Sequence, residues 1–185
     1  ATICETGSYT LAGSAVANAT TLLWSTSGTG TFNNISALHP IYTPSAADIT
    51  TGAVTLTITA TPAAPCTAVS DAMVLNINRQ ATVNAGADAT ICESGTYTLV
   101  NAVAANATTL LWATSGTGTF DDATTLNPVY TPSVADITAG SVTLTITASS
   151  AAPCSDATDA MVLNINGQAT VNAGADAAIC ETAGS

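Results

Sequence analysis

Cysteine is the residue type in this chain best suited to chemistry. Cys4, Cys66, Cys92, Cys154 and Cys180 could serve as nucleophiles, metal ligands or halves of disulfides. No CxxC pair or nearby histidine cluster accompanies them, which argues against a metal site. Their spacing is regular instead. Cys4, Cys92 and Cys180 are separated by 88 residues, as are Cys66 and Cys154. Regular spacing without ligand pairs points to disulfides and an oxidising, extracellular setting.

The remaining candidates are weaker. His39 is the sole histidine, and the residue 88 positions later is Asn127. The single basic side chain, Arg79, is likewise matched by Gly167. One unclustered histidine makes neither a triad nor a metal shell, so no catalytic residue is expected. Asp121-Asp122 could begin a calcium loop, and Asp88 could join Glu93 and a neighbouring loop around a structural calcium. Copy one has Asn33-Asn34 in place of the aspartate pair, and no acidic ladder follows, so solvated acidic loops are the default. Exposed Trp24 and Trp112 would suit stacking on a glycan; a core position in a strand is the plainer reading. Asn18, Asn34 and Asn106 open N-glycosylation sequons.

The cysteine period belongs to the whole chain. Residues 1–88 and 89–176 match at 63 of 88 positions without a gap. Constant period without length drift marks a tandem array. Catalytic sites are normally unique, so duplication favours length, display or adhesion. With formal net charge −11 and one basic residue, the chain cannot neutralise phosphates, which excludes nucleic acid and disfavours anionic membranes. No apolar run is long enough to span a bilayer.

The elements that position these residues read as strands. Val54–Ala60 and Val142–Thr147 alternate apolar residues with threonine, the period of a half-buried strand. Tyr9–Leu11, Thr21–Ser25, Ile41–Thr43 and Met73–Ile77 are similar short runs, separated by Gly, Pro and Ser turns. No amphipathic helix stands out; Ala-rich Ser14–Ala19 is the most helix-like segment. About seven short strands per repeat predict an all-β, two-sheet antiparallel sandwich. The repeat units are 1–79, lacking its first strand; 80–167, complete; and 168–185, the first strand of a third unit.

Trp24 on the third strand and Asp48…Gly52 before the next long strand resemble an immunoglobulin-like module. On that pattern Thr82–Ile91 is one continuous first strand. The strings Ala85–Gly95, Leu111–Phe120, Asn127–Ser133 and Ala152–Asp156 resemble PKD/Ig-like repeats of very large, type IX-secreted Bacteroidota surface proteins. That resemblance implies a cell-surface location and a role in adhesion, gliding or fibres, and carries over no catalytic residue. The expected function is a non-catalytic segment of a filament or adhesin stalk; a glycan-binding adhesin module is the alternative.

Three cysteine states are open: bonds within repeats (Cys4–Cys66 and Cys92–Cys154), bonds between repeats (Cys4–Cys154), or free thiols. The strand order puts Cys92 and Cys154 at opposite poles of one sandwich, which disfavours the first. The ends carry a further expectation. A segment cut from a longer chain would explain the unmatched first strand. Strand donation would also explain it: Ala169, Val171 and Ile179 of one chain would complete the groove at Tyr9–Leu11 and Met73–Ile77 of the next, joining subunits head to tail.

Overall fold

The computed structural model describes residues 1–176 and contains two β-sandwiches in succession. The first comprises β1 (Thr2–Cys4), β2 (Tyr9–Thr10), β3 (Thr21–Thr26), β4 (Thr31–Phe32), β5 (Ile41–Thr43), α1 (Ala46–Thr51), β6 (Ala53–Thr61) and β7 (Val69–Asn78). The second comprises β8 (Thr82–Asn84), β9 (Ala89–Cys92), β10 (Tyr97–Thr98), β11 (Val103–Ala105), β12 (Thr109–Thr114), β13 (Thr119–Phe120), β14 (Val129–Thr131), α2 (Val134–Ala139), β15 (Ser141–Ser149) and β16 (Ala157–Asn166).

Each sandwich packs a four-stranded sheet on a three-stranded one. The order is β1-β7-β6-β3 over β2-β5-β4 in the first, and β9-β16-β15-β12 over β10-β14-β13 in the second. The long strands pair antiparallel, while β1 and β9 run parallel to β7 and β16. Period two decides which side faces inward. Along β15, Val142, Leu144, Ile146 and Ala148 are buried, and the intervening threonines face outward. Trp24 and Trp112 are 5% and 3% exposed, and stack at a tilt on Phe32 and Phe120. Both indoles are therefore core residues, and each Nε1 donates to a loop carbonyl, Ala37 or Leu126.

Two local expectations are corrected. The Asp48…Gly52 segment is a short helix, α1, and Asp136…Gly140 repeats it as α2. Ser45 and Ser133 cap these helices in reciprocal capping boxes, and Gly52 and Gly140 end them with positive φ. Ser14–Ala19 is not helical. The first strand, expected as one run over Thr82–Ile91, is two pieces that change sheets at Gly86 (φ 91°): β8 pairs with β11, and β9 with β16. Copy one carries the second piece, β1, and among the described residues has no counterpart of β8.

Candidate functional site at the module junction

Cys4 is bonded to Cys154, with their Cα atoms 4.9 Å apart. The bond crosses from the end of β1 in one sandwich to the loop between β15 and β16 in the other. The pairing within a repeat, Cys4–Cys66, is not the one formed, and the strand register explains why. Cys4 lies level with Asn78 at the end of β7, whereas Cys66 precedes the start of β7. The ten residues of β7 separate the two by roughly 30 Å. Cys66 and Cys92 are exposed and unbonded. Cys180 and Ile179 lie outside the described residues.

Hydrogen bonds surround this bond. Asn78 Nδ2 donates to Ala152 O (2.7 Å), and Asn78 O accepts from Glu5 N (2.9 Å). Gln80 N donates to Glu5 Oε1 (3.0 Å). Ala81 N donates to Ser150 Oγ (2.9 Å), and Asn106 Nδ2 to Gln80 O (3.2 Å). The connecting residues 78–81 are thus held by both sandwiches. Asp156 braces the cysteine loop by accepting from Ser150 N (2.9 Å).

From this linker the chain enters the second sandwich as β8. Val83 packs on the core, Ala81 and Ala85 are buried, and Ala85 N donates to Asp159 Oδ2 (2.8 Å). Under that cover Ile146, Ala148 and Met161 are buried. Their counterparts in the first sandwich, Ile58, Ala60 and Met73, are only half-buried. There, Tyr9, Leu11, Trp24, Ile58, Asp71 and Met73 line an open groove of about 470 Å³. Asp71 occupies the position of Asp159, and Asn18 that of Asn106 with the same left-handed φ of 57°. Ala169, Thr170, Val171, Asn172 and Ala173 are exposed, Val171 by 96%. Residues 168–177 repeat 80–89 residue for residue.

A buried carboxylate anchors each sandwich, a role absent from the expectations for Asp48 and Asp136. Asp48 Oδ2 accepts from Gly30 N (2.8 Å), Tyr42 OH (2.7 Å) and Ser45 N (3.0 Å), while Oδ1 accepts from Thr29 N (2.9 Å). Asp136 has the equivalent donors in Gly118, Tyr130, Ser133 and Thr117. Burial pushes the pKa of each up. The donors outweigh it, Ser45 or Ser133 N–H foremost, and hold each at about 2. The legible signal was Ser-x-x-Asp, a capping box, at Ser45–Asp48 and Ser133–Asp136. The ring is closed and shielded, and acts as a structural anchor.

Ser14 Oγ and His39 Nδ1 are 3.2 Å apart, the one serine–histidine contact among the described residues. Its role is read from the other copy. His39 Nδ1 meets Leu11 O (3.0 Å), and Ser14 Oγ bonds Leu38 O. In copy two Asn127 alone does both tasks once its amide is assigned with the nitrogen toward the two carbonyls, donating to Leu99 O (2.8 Å) and Leu126 O (3.2 Å). The Ser14–His39 pair therefore substitutes for one amide in tying down two loop carbonyls.

The acidic loops are occupied locally. Asp121 Oδ1 accepts from Val129 N (2.7 Å), Asp122 Oδ1 from Thr124 N (2.9 Å) and Asp88 Oδ1 from Val162 N (2.8 Å). Among the described residues no three His, Cys, Asp or Glu side chains converge on one point. No described helix is long and apolar enough to cross a membrane.

No family model matches the chain, and no curated protein does. Similar solved structures are extracellular cadherin repeats. Protocadherin Gamma C5 EC1-3 has 11% identity and a TM-score of 0.46, covering 88% of this chain and 64% of that one. Drosophila N-cadherin EC1-4 has 13% identity and a TM-score of 0.44, covering 78% and 41%. The chain spans 27% of the protocadherin GammaB4 extracellular domain, at 13% identity and a TM-score of 0.37. The all-β sandwich assignment rests on the strand pairing described above.

Proposed function

We propose that this chain is a non-catalytic structural segment of an extracellular, cell-surface filament or adhesin stalk, with repeat units at 1–79, 80–167 and 168–185. The observation that carries this reading is the junction. A strand, a linker bonded to both sandwiches and a disulfide couple one repeat to the next, an arrangement suited to transmitting length and tension. The likeness of the sequence strings to PKD/Ig-like repeats of Bacteroidota surface proteins supports the location.

Subunits join head to tail by strand donation. Ala169–Ala173 of one copy fills the groove of the next as Ala81–Ala85 fills the second sandwich, with Ala173 N donating to Asp71. The identity of residues 168–177 with 80–89 supports a second copy as the occupant. The donor is shorter than the sequence suggested. Ile3 already fills the position equivalent to Ile179, as part of β1. A glycan-binding surface has no support from exposed aromatics, because every Trp, Tyr and Phe is buried or half-buried.

The test is light scattering and electron microscopy of residues 1–185. Linear polymers are expected, with a rise of roughly 70–90 Å for two sandwiches of ~35–45 Å each. Deleting 168–185 is expected to leave monomers. A folded monomer unaffected by that deletion overturns strand donation.

A further inference from the structure

The bonded and unbonded cysteines are related by the repeat. Cys4 and Cys154 are joined across the junction inside the chain. Their counterparts are Cys92, at the end of β9, and Cys66, in the loop between β6 and β7. Both are exposed and unbonded. Within one chain these two face opposite ends: Cys92 points along the direction in which the array grows, and Cys66 lies at the other extremity. They cannot meet each other, but each presents one half of a junction.

The two halves repeat most of the junction already formed. On the outgoing side, Cys92, Glu93, Asn166 and Gln168 stand for Cys4, Glu5, Asn78 and Gln80. Glu93 N donates to Asn166 O at 2.9 Å, as Glu5 N does to Asn78 O. On the incoming side, Ala63-Ala64-Pro65-Cys66 repeats Ala151-Ala152-Pro153-Cys154. The turn is the same in both, with Cys66 N donating to Ala63 O (3.2 Å) and Cys154 N to Ala151 O (3.1 Å). The groove that receives the strand shares Ile58 and Asp71 with a smaller pocket lined by Ala60, Val69 and Ser70, at the start of β7 where this loop ends. Three features differ: Asp156, which braces the bonded loop, is Ala68 in copy one; Ser150, whose hydroxyl accepts from Ala81 N, is Pro62; and the linker residue Arg79 is Gly167. The boundary between copies therefore lacks the Ser150 hydrogen bond and the Asp156 brace, while the cysteine turn and the Glu–Asn contact are retained.

We propose that Cys92 of one copy forms a disulfide with Cys66 of the next, so that the filament is covalently closed at every subunit boundary. This rests on the head-to-tail reading above. A second copy whose first sandwich stood to this chain's second sandwich as the second stands to the first would bring its Cys66 to Cys92 as Cys154 is brought to Cys4, within bonding range. The oxidant is a small-molecule disulfide such as oxidised glutathione. The Cys92 thiolate attacks it, one glutathione thiol leaves, and a mixed disulfide forms. The Cys66 thiolate then attacks the Cys92 sulfur and releases the second thiol. Two thiols lose two protons and two electrons, and one disulfide oxidant is reduced to two thiols.

The experiment uses the full chain carrying Cys180→Ser, so that only the two thiols in question are available. Assembly is run with oxidised glutathione and read by non-reducing gel, disulfide peptide mapping and electron microscopy. The expected result is a ladder in steps of 18.1 kDa that collapses on reduction, with the Cys92 peptide linked to the Cys66 peptide. Cys66→Ser and Cys92→Ser are each expected to form filaments that run as monomers on the gel. Mixing the two is expected to give dimers and nothing larger. Dimers from either variant alone would mean like-with-like pairing and overturn the proposal. Filaments without any ladder overturn the disulfide but leave the head-to-tail reading intact. Absence of both filaments and ladder overturns both.

Discussion

Asp48 and Asp136 set the pH response of the fold. Each is ionised inside a ring of four donors, with its pKa lowered from 3.8 to about 2. A carboxylate depressed in the folded state stabilises it fully above the unfolded pKa and loses that effect as pH falls through the folded one. Each is worth roughly 2 kcal/mol at neutral pH. Thermal stability should therefore be flat above about pH 5 and fall between about pH 4 and 2. Asp136→Asn should remove the second sandwich's share of that dependence, and cost about 2–4 kcal/mol, because an amide nitrogen would face backbone donors. Gly118 is constrained by the same ring: a Cβ there would lie 2.5 Å from Thr131 O and 2.6 Å from Asp136 Oδ2. Gly118→Ala is expected to unfold the second sandwich at temperatures the parent tolerates. By contrast, Ser14→Ala with His39→Asn reproduces the copy-two arrangement and should change stability by less than about 0.5 kcal/mol.

At the scale of elements, β8 separates the two sandwiches. It covers Ile146, Ala148 and Met161, while Ile58, Ala60 and Met73 lack such cover. If about 100 Å² of apolar surface stays wet, the first sandwich is weaker by on the order of 2 kcal/mol. Each sandwich holds one tryptophan, so Trp112→Phe leaves fluorescence reporting on the first alone. With 168–185 deleted, that sandwich should unfold first in urea. A peptide of residues 168–176 should raise its midpoint in a concentration-dependent way. A peptide with Val171→Asp should not, because that side chain would enter the apolar groove. Equal midpoints for both sandwiches, unmoved by peptide, would count against the groove as a strand receptor.

Across the whole molecule, the Cys4–Cys154 bond joins the two sandwiches beside the linker. It links residues 150 apart, so in the chain-entropy treatment it restricts the unfolded chain by roughly 5 kcal/mol. In the folded state it acts between two separate cores. Reduction, or Cys154→Ser, should leave each sandwich's fluorescence and circular dichroism unchanged. Small-angle scattering should show a broader spread of inter-module distances. A scattering profile indifferent to reduction would mean that the linker bonds of Asn78, Gln80 and Ala81 suffice to hold the angle.

Repeat, strand faces and core are legible in the residues alone. Alternation of Val, Leu and Ile with Thr dictates which side of β6 and β15 is buried, because successive strand residues point to opposite faces. Trp24 and Trp112 follow from that same alternation. The short helices α1 and α2 were hidden behind a resemblance to a corner, although Ser45-x-x-Asp48 carried the capping signal. Tertiary structure alone decided the rest. Ser45 is a local donor to Asp48, but the turn at Thr29 and Gly30 and the Tyr42 hydroxyl reach it only through the fold, and that convergence makes it an anchor. The break of the first strand depends on the left-handed turn at Gly86 and on a free edge in each sheet. Cys4 meets Cys154 because parallel pairing puts β1 level with the end of β7, at the pole where the next sandwich begins. Cysteine spacing alone leaves that pairing open, since a disulfide requires proximity in space and the sequence separation does not supply it.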